Sequence, residues 1–162
     1  MFEVKDYSNN REKSYLTIIN QLKALIKDEP DVTANLANAS ALLNQFLDDI
    51  NWVGFYLWKD TELVLGPFQG LPACIRIPAG KGVCGTAYSK KQTMLVPNVN
   101  EFPGHIVCDA KSQSEIVIPL VVNNEVYGVL DIDSPILDRF DSIDQTYLEK
   151  FVQVLENSFN TN

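Results

Sequence analysis

The spacing of apolar residues changes twice along this chain, and those changes limit its fold more than any other feature. Tyr15, Ile18, Ile19, Leu22, Leu25 and Ile26 recur at helical intervals until Pro30 ends the run. Asp31 can cap a second helix with Leu36, Ala39, Leu42, Leu43, Phe46 and Leu47 on one face. From Trp52 the pattern becomes strand-like. Trp52 to Trp58, a polar Lys59-Asp60-Thr61 turn and Glu62 to Leu65 read as a hairpin, and Glu115 to Val122, Asn123-Asn124 and Glu125 to Asp133 as another. Short strands are expected around Cys74 to Ile77 and Thr93 to Val96, and Phe140-Asp141-Ser142 opens a last helix carrying Leu148, Phe151, Val154 and Leu155.

Parallel βαβ alternation is missing, so the expected architecture is α+β: an antiparallel sheet with the helices on one side. There are no repeats or linkers, so residues 1–162 read as a single domain. Its N-terminal helices span about 10–49, the sheet and loops about 50–135, and the closing helix about 141–158.

Charge narrows the partners. Thirteen basic against twenty-one acidic residues give a net charge of −8, which argues against nucleic acid and anionic membranes, because both demand clustered Lys and Arg. No apolar run reaches membrane-spanning length and MFEVKDYSNNREK lacks a signal h-region, so the expected compartment is the cytoplasm, where thiols stay reduced. The amphipathic terminal helices would permit two chains to pair.

The three cysteines therefore need explaining one by one. They form no closed disulfide framework and no CxxC motif, and His105 with Cys108 gives too few ligands for a metal site, so none is expected. Cys108 lies in a long loop from Pro97 to about Ser114, a length that in a compact domain points to function or disorder. Cys84 lies in the Gly-rich PAGKGVCGTA, which lacks the order of a phosphate loop; its glycines would give the cysteine freedom to move. His105 near Cys108 has no orienting residue or oxyanion signature for a hydrolase. Each cysteine could also simply pack, since free cysteines behave as small hydrophobes.

A second constellation is acidic. Asp131 and Asp133 stand at i and i+2 with Val129 two residues before, so one strand face is partly apolar and partly acidic. Trp52 and Tyr56, at i and i+4 on their strand, share a face too, with Trp58 continuing it. Either set could be solvated surface or core, or the two could line one pocket.

NWVGFYLW, GPFQGLPACIRIPAGKGVCGTA, VPNV, HIVCDAKSQSEIVIPL and GVLDIDSP together resemble the free methionine-(R)-sulfoxide reductases, which are single GAF domains, over roughly residues 35 to 155. That resemblance implies a GAF-like antiparallel sheet, with the terminal helices on one face and a ligand pocket on the other. It implies Cys108 as nucleophile, Cys84 as resolving thiol and Cys74 as a further redox-active cysteine, which either relays toward an external reductant or packs. It also implies that Glu115, Asp131 and Asp133 bind substrate and polarise the sulfoxide oxygen, and that Trp52 and Tyr56 box the S-methyl group. No bound cofactor is expected; thioredoxin, or dithiothreitol in vitro, would be the external reductant.

The residues add a constraint of their own. Nearby carboxylates raise a thiol pKa, so three acids serve a thiolate poorly. They serve a sulfoxide well: crowded carboxyls keep a proton, and Glu115 or Asp133 can pass it to the oxygen. The competing expectation is a non-catalytic GAF sensor, or a redox switch without substrate, which would leave the acidic and aromatic groups unused.

Overall fold

The first two helices begin at the expected caps. In the computed structural model, which describes residues 1–160, helix α1 (Arg11–Ile26) starts where Asn10 accepts the Lys13 N–H, and α2 (Val32–Phe46) where Asp31 accepts that of Ala34. Strands β1 (Trp52–Lys59) and β2 (Glu62–Gly70) follow as a hairpin turning at Asp60, which has φ 58°. Then come β3 (Arg76–Pro78), helix α3 (Gly82–Lys90) and β4 (Met94–Val96). The hairpin β5 (Ser114–Val122) and β6 (Glu125–Ser134) turns on Asn123 and Asn124, at φ 53° and 64°, the left-handed pair that a two-residue turn requires. Helix α4 (Ser142–Asn160) closes the chain, with Asp141 accepting the Ile143 and Asp144 N–H groups at its start.

The six strands form one sheet in the order β3-β2-β1-β6-β5-β4, antiparallel throughout, as expected. Alternation along the strands separates its two faces. Val53, Phe55, Ile116, Ile118, Leu120, Leu130 and Ile132 point to α1, α2 and α4 and make the larger core. Trp52, Tyr56, Val117 and Val129 point the other way, against Val83, Cys84 and Ala87 of α3. None of the described helices is long and apolar enough to cross a membrane.

Two local expectations are corrected. The strand expected from Cys74 begins only at Arg76, paired with Glu62 to Val64 of β2, and a single backbone bond before it runs from the Leu65 N–H to the Ile75 carbonyl at 2.9 Å. Cys74 is left in an extended segment outside the sheet. Cys84, expected in a glycine-rich segment with freedom to move, where a loop leads into a brief helix, sits in the first turn of that helix, α3. The glycines there serve close approach rather than motion: a Cβ on Gly85 would stand 2.4 Å from the Pro78 carbonyl oxygen.

Candidate active site

Strand register gathers the acids. On the α3 face, Glu115 of β5 pairs with Asp133 of β6 and Val117 with Asp131, while Trp52 and Gly54 of β1 lie opposite Asp133 and Asp131. Three carboxylates and two aromatic rings therefore share one patch of the sheet, although they come from three strands. A cavity lies above them. Its walls include Pro72 and Ala73 before β3, Lys81 to Cys84 at the start of α3, and His105, Ile106 and Cys108 of the long loop.

Cys74 and Cys108, 34 positions apart in the chain, are joined by a disulfide at the wall of this cavity, with Cα atoms 5.5 Å apart. Cys84 is the free cysteine, 4% exposed. Cys108 is thus bonded to Cys74, and Cys84, the resolving thiol that the resemblance implies, is the cysteine left free. Cys84 is held in a packed helical turn, whereas Cys74 and Cys108 sit on half-buried segments without regular structure.

The aromatic residues hold the Cys74 segment by their polar tips. The Tyr56 hydroxyl donates to the Cys74 carbonyl at 2.8 Å, and Trp52 Nε1 donates to the Leu71 carbonyl at 3.2 Å. Trp52 stacks between Tyr56 and Phe68, with centroids 5.8 and 5.2 Å away. Gly54 leaves room for this, since a Cβ there would lie 2.3 Å from that of Phe68. The Cys108 loop has its own anchor, which sequence reasoning missed. Asn51 donates to Asp109 at 2.9 Å and to Ser112 at 3.2 Å, and the Lys111 N–H donates to Asp109 at 2.9 Å. Asparagine and aspartate in loops are common turn-formers, so nothing in their spacing marks such a long-range pair.

Burial sets the protonation of the acids. It pushes the Glu115 carboxyl well above the usual carboxylate range, with the charges of Asp131 and Asp133 adding to the shift. Asp133 is raised well above that range by burial and by the Asp131 and Asp109 charges. Asp131 is raised by burial too, but hydrogen bonds from the Glu115 carboxyl and the Cys84 thiol oppose the shift. Asp131 is therefore the acid best served as an anion, and its Oδ1 has no hydrogen-bond partner among the described residues. Burial, followed by the Asp131, Glu115 and Asp133 charges, pushes the Cys84 thiol well up, so it stays protonated. Burial lowers His105, leaving it neutral at pH 7, with Nε2 3.8 Å from Glu115 Oε2. Cys84, Glu115 and Asp131 each place one donor atom within 4.8 Å of the others, the one described cluster that could hold a cation.

The cavity can thus present bound protons and one well-supported anion, beside a disulfide, to a small polar molecule. A GAF-domain family profile matches residues 31–159. The chain is 56% identical over 160 residues to Protein YtsP of Bacillus subtilis, covering 98% of each chain. It is 51% identical over 152 residues to the free methionine-R-sulfoxide reductase of Escherichia coli, covering 94% of this chain and 92% of that one. The X-ray structure of the Neisseria meningitidis free methionine-R-sulfoxide reductase in complex with its substrate is 42% identical, with a TM-score of 0.94, covering 99% of this chain and 96% of that one.

Proposed function

The chain belongs to the free methionine-R-sulfoxide reductases, a family built on the GAF domain, and from that premise we propose that it reduces free methionine R-sulfoxide at this cavity by thiol chemistry. One observation carries the reading: the Cys74–Cys108 disulfide stands at the wall of a cavity floored by three carboxyls, of which Glu115 and Asp133 are held well above the usual carboxylate range. Such a pair of sulfurs beside acids suits the removal of an oxygen from sulfur.

In the proposed reaction the Cys108 sulfur attacks the substrate sulfur while Glu115, with Asp133, gives a proton to the sulfoxide oxygen. The oxygen ends on Cys108 as a sulfenic acid and methionine departs. Cys74 then attacks the sulfenic sulfur, water leaves, and the observed disulfide forms. Two thiols and a sulfoxide become a disulfide, a thioether and water. Acid assistance replaces a lowered thiol pKa as the driving element, because the carboxylates here would raise a neighbouring thiol.

The binding groups fit an amino acid. Asp131, with its unpaired Oδ1, suits the ammonium group. The opening turn of α3 has no side-chain cap and lies in the cavity wall, which suits the carboxylate. Trp52 and Tyr56 suit the S-methyl end. Thioredoxin in the cytoplasm would reopen the disulfide. Cys84, a protonated donor to Asp131, holds that carboxylate in place rather than resolving the sulfenic acid.

The test separates the cysteines. Cys108→Ser is expected to abolish loss of the R-isomer from racemic methionine sulfoxide with dithiothreitol. Cys74→Ser should complete about one turnover with thioredoxin and leave a trappable sulfenic acid, while Cys84→Ser keeps turning over. A Cys84→Ser protein that stalls after one cycle would return the resolving role to Cys84. A Cys108→Ser protein with full activity would remove Cys108 as the nucleophile, and a wild-type protein that binds methionine sulfoxide without consuming it would leave only a sensor.

A further inference from the structure

The surface around the disulfide differs from the rest of the cavity mouth. Cys108 belongs to the cavity lining, whereas Cys74 does not, so the bridge has an inner and an outer sulfur. Ile75 and Val107, each the chain neighbour of one half-cystine, are 65% and 67% exposed. With the two Cys Cα atoms 5.5 Å apart and consecutive Cα atoms about 3.8 Å apart, the Cα atoms of Ile75 and Val107 lie within about 13 Å of each other beside the bridge.

The charged neighbours of the bridge each have a partner. Arg76, beside Ile75, is engaged by Glu62 at 2.9 Å, and Asp109, beside Cys108, by Asn51 and the Lys111 N–H. A small apolar area on a chain of net charge −8, centred on a reducible bond, fits a partner that docks by apolar contact and brings a thiol.

Resting on the reading above, we propose that Ile75 and Val107 form a docking collar for a thioredoxin-type protein dithiol, whose nucleophilic thiolate attacks the outer sulfur, that of Cys74. The Cys74–Cys108 bond breaks, a mixed disulfide forms on Cys74, and Cys108 leaves as a thiolate that takes up a proton at the cavity. The partner's second thiolate then attacks the partner's own sulfur in the mixed disulfide and expels Cys74, which is protonated in turn. The partner's dithiol is oxidised to a disulfide and this chain regains two thiols. The order matters, because the thiol facing the substrate is restored first.

Ile75→Asp and Val107→Asp test the collar, since both side chains point to solvent and neither lines the cavity. Each is expected to raise KM for thioredoxin about tenfold, while the rate with dithiothreitol stays unchanged. An equal loss with both reductants, or none with thioredoxin, would overturn the collar. The order of attack is read by mixing the oxidised protein with a thioredoxin whose second active-site cysteine is serine, then locating the trapped adduct by mass spectrometry. An adduct on Cys74 is expected; one on Cys108 overturns the order. A wild-type protein that dithiothreitol cannot drive would count against the proposed activity itself, and the adduct would still report the docking.

Discussion

Asp144 and Asp131 are both buried aspartates, 1% and 6% exposed, on opposite sides of the same sheet, and their surroundings could hardly differ more. Asp144, at the start of α4, accepts the Tyr15 hydroxyl at 2.6 Å, the Asp141 N–H at 3.0 Å and Arg139 at 3.4 Å, with Arg11 at 3.8 Å. It ties α1 to α4 and the β6–α4 connection. Asp131 has no cation beside it: its neighbours are a carboxyl and a thiol that lend it protons, and one of its oxygens is unpaired. A buried acid surrounded by donors and cations holds a structure together. A buried acid set among other acids costs stability, and such an arrangement suits a ligand that will bring the missing charge.

The largest effect expected from this contrast is on catalysis. Glu115→Gln keeps the shape of the site but removes the proton that can be given away. The rate of single-turnover sulfoxide reduction should fall by about 10²- to 10⁴-fold, the range for loss of a general acid. A rate within a few-fold of wild type would mean that the acids only line the cavity, and the contrast with Asp144 would lose its meaning.

The opposite substitution sharpens the comparison from the helical side. Asp144→Asn leaves Arg139 without its buried counter-charge, and Arg139 is only 16% exposed. Breaking such a pair should cost about 3 kcal/mol in denaturant unfolding, discounted on the Arg11 side because that guanidinium is 46% exposed and screened. Turnover per folded molecule should not change. A loss of turnover at constant folded fraction would show that the two faces are coupled.

This division between the faces was partly legible before any fold was known. Val129, Asp131 and Asp133 alternate with Leu130 and Ile132, so a strand face that mixes apolar and acidic groups could be read directly. Trp52 and Tyr56 were legible for the same reason, as was Asp31 as a helix cap. The cysteine pairing was not. It depends on how far two segments outside the sheet lean over the cavity, which Tyr56 and Asn51 govern through contacts with residues 18 and 58 positions away. Glycines around Cys84 looked like a source of motion, yet Gly85 marks backbone packed too tightly for a side chain, and Gly80 and Gly82 hold left-handed φ values of 74° and 61°. Asp144 gave no signal either, because its partners Tyr15 and Arg11 come from the far end of the chain.

The smallest expected effect separates the faces by pH alone. Glu115 titrates well above its ordinary value of 4.5 in the folded chain, so the fold binds that proton more tightly than the unfolded chain does. The resulting stability is complete below about pH 4.5 and is lost as pH rises through the folded pKa. Asp133 works in the same direction. Asp109 and Asp141 have lowered pKa values, so their contributions are lost only as pH falls below the ordinary 3.8, outside this window. Between about pH 6.5 and pH 8, above the range in which the lowered His105 opposes the trend, the wild-type melting temperature should therefore decline, and Glu115→Gln should flatten that decline. The same variant that loses catalysis should be the more stable protein at pH 8. Parallel declines in the two proteins would show that Glu115 is already ionised in the fold, and would remove the physical basis for its role as the acid.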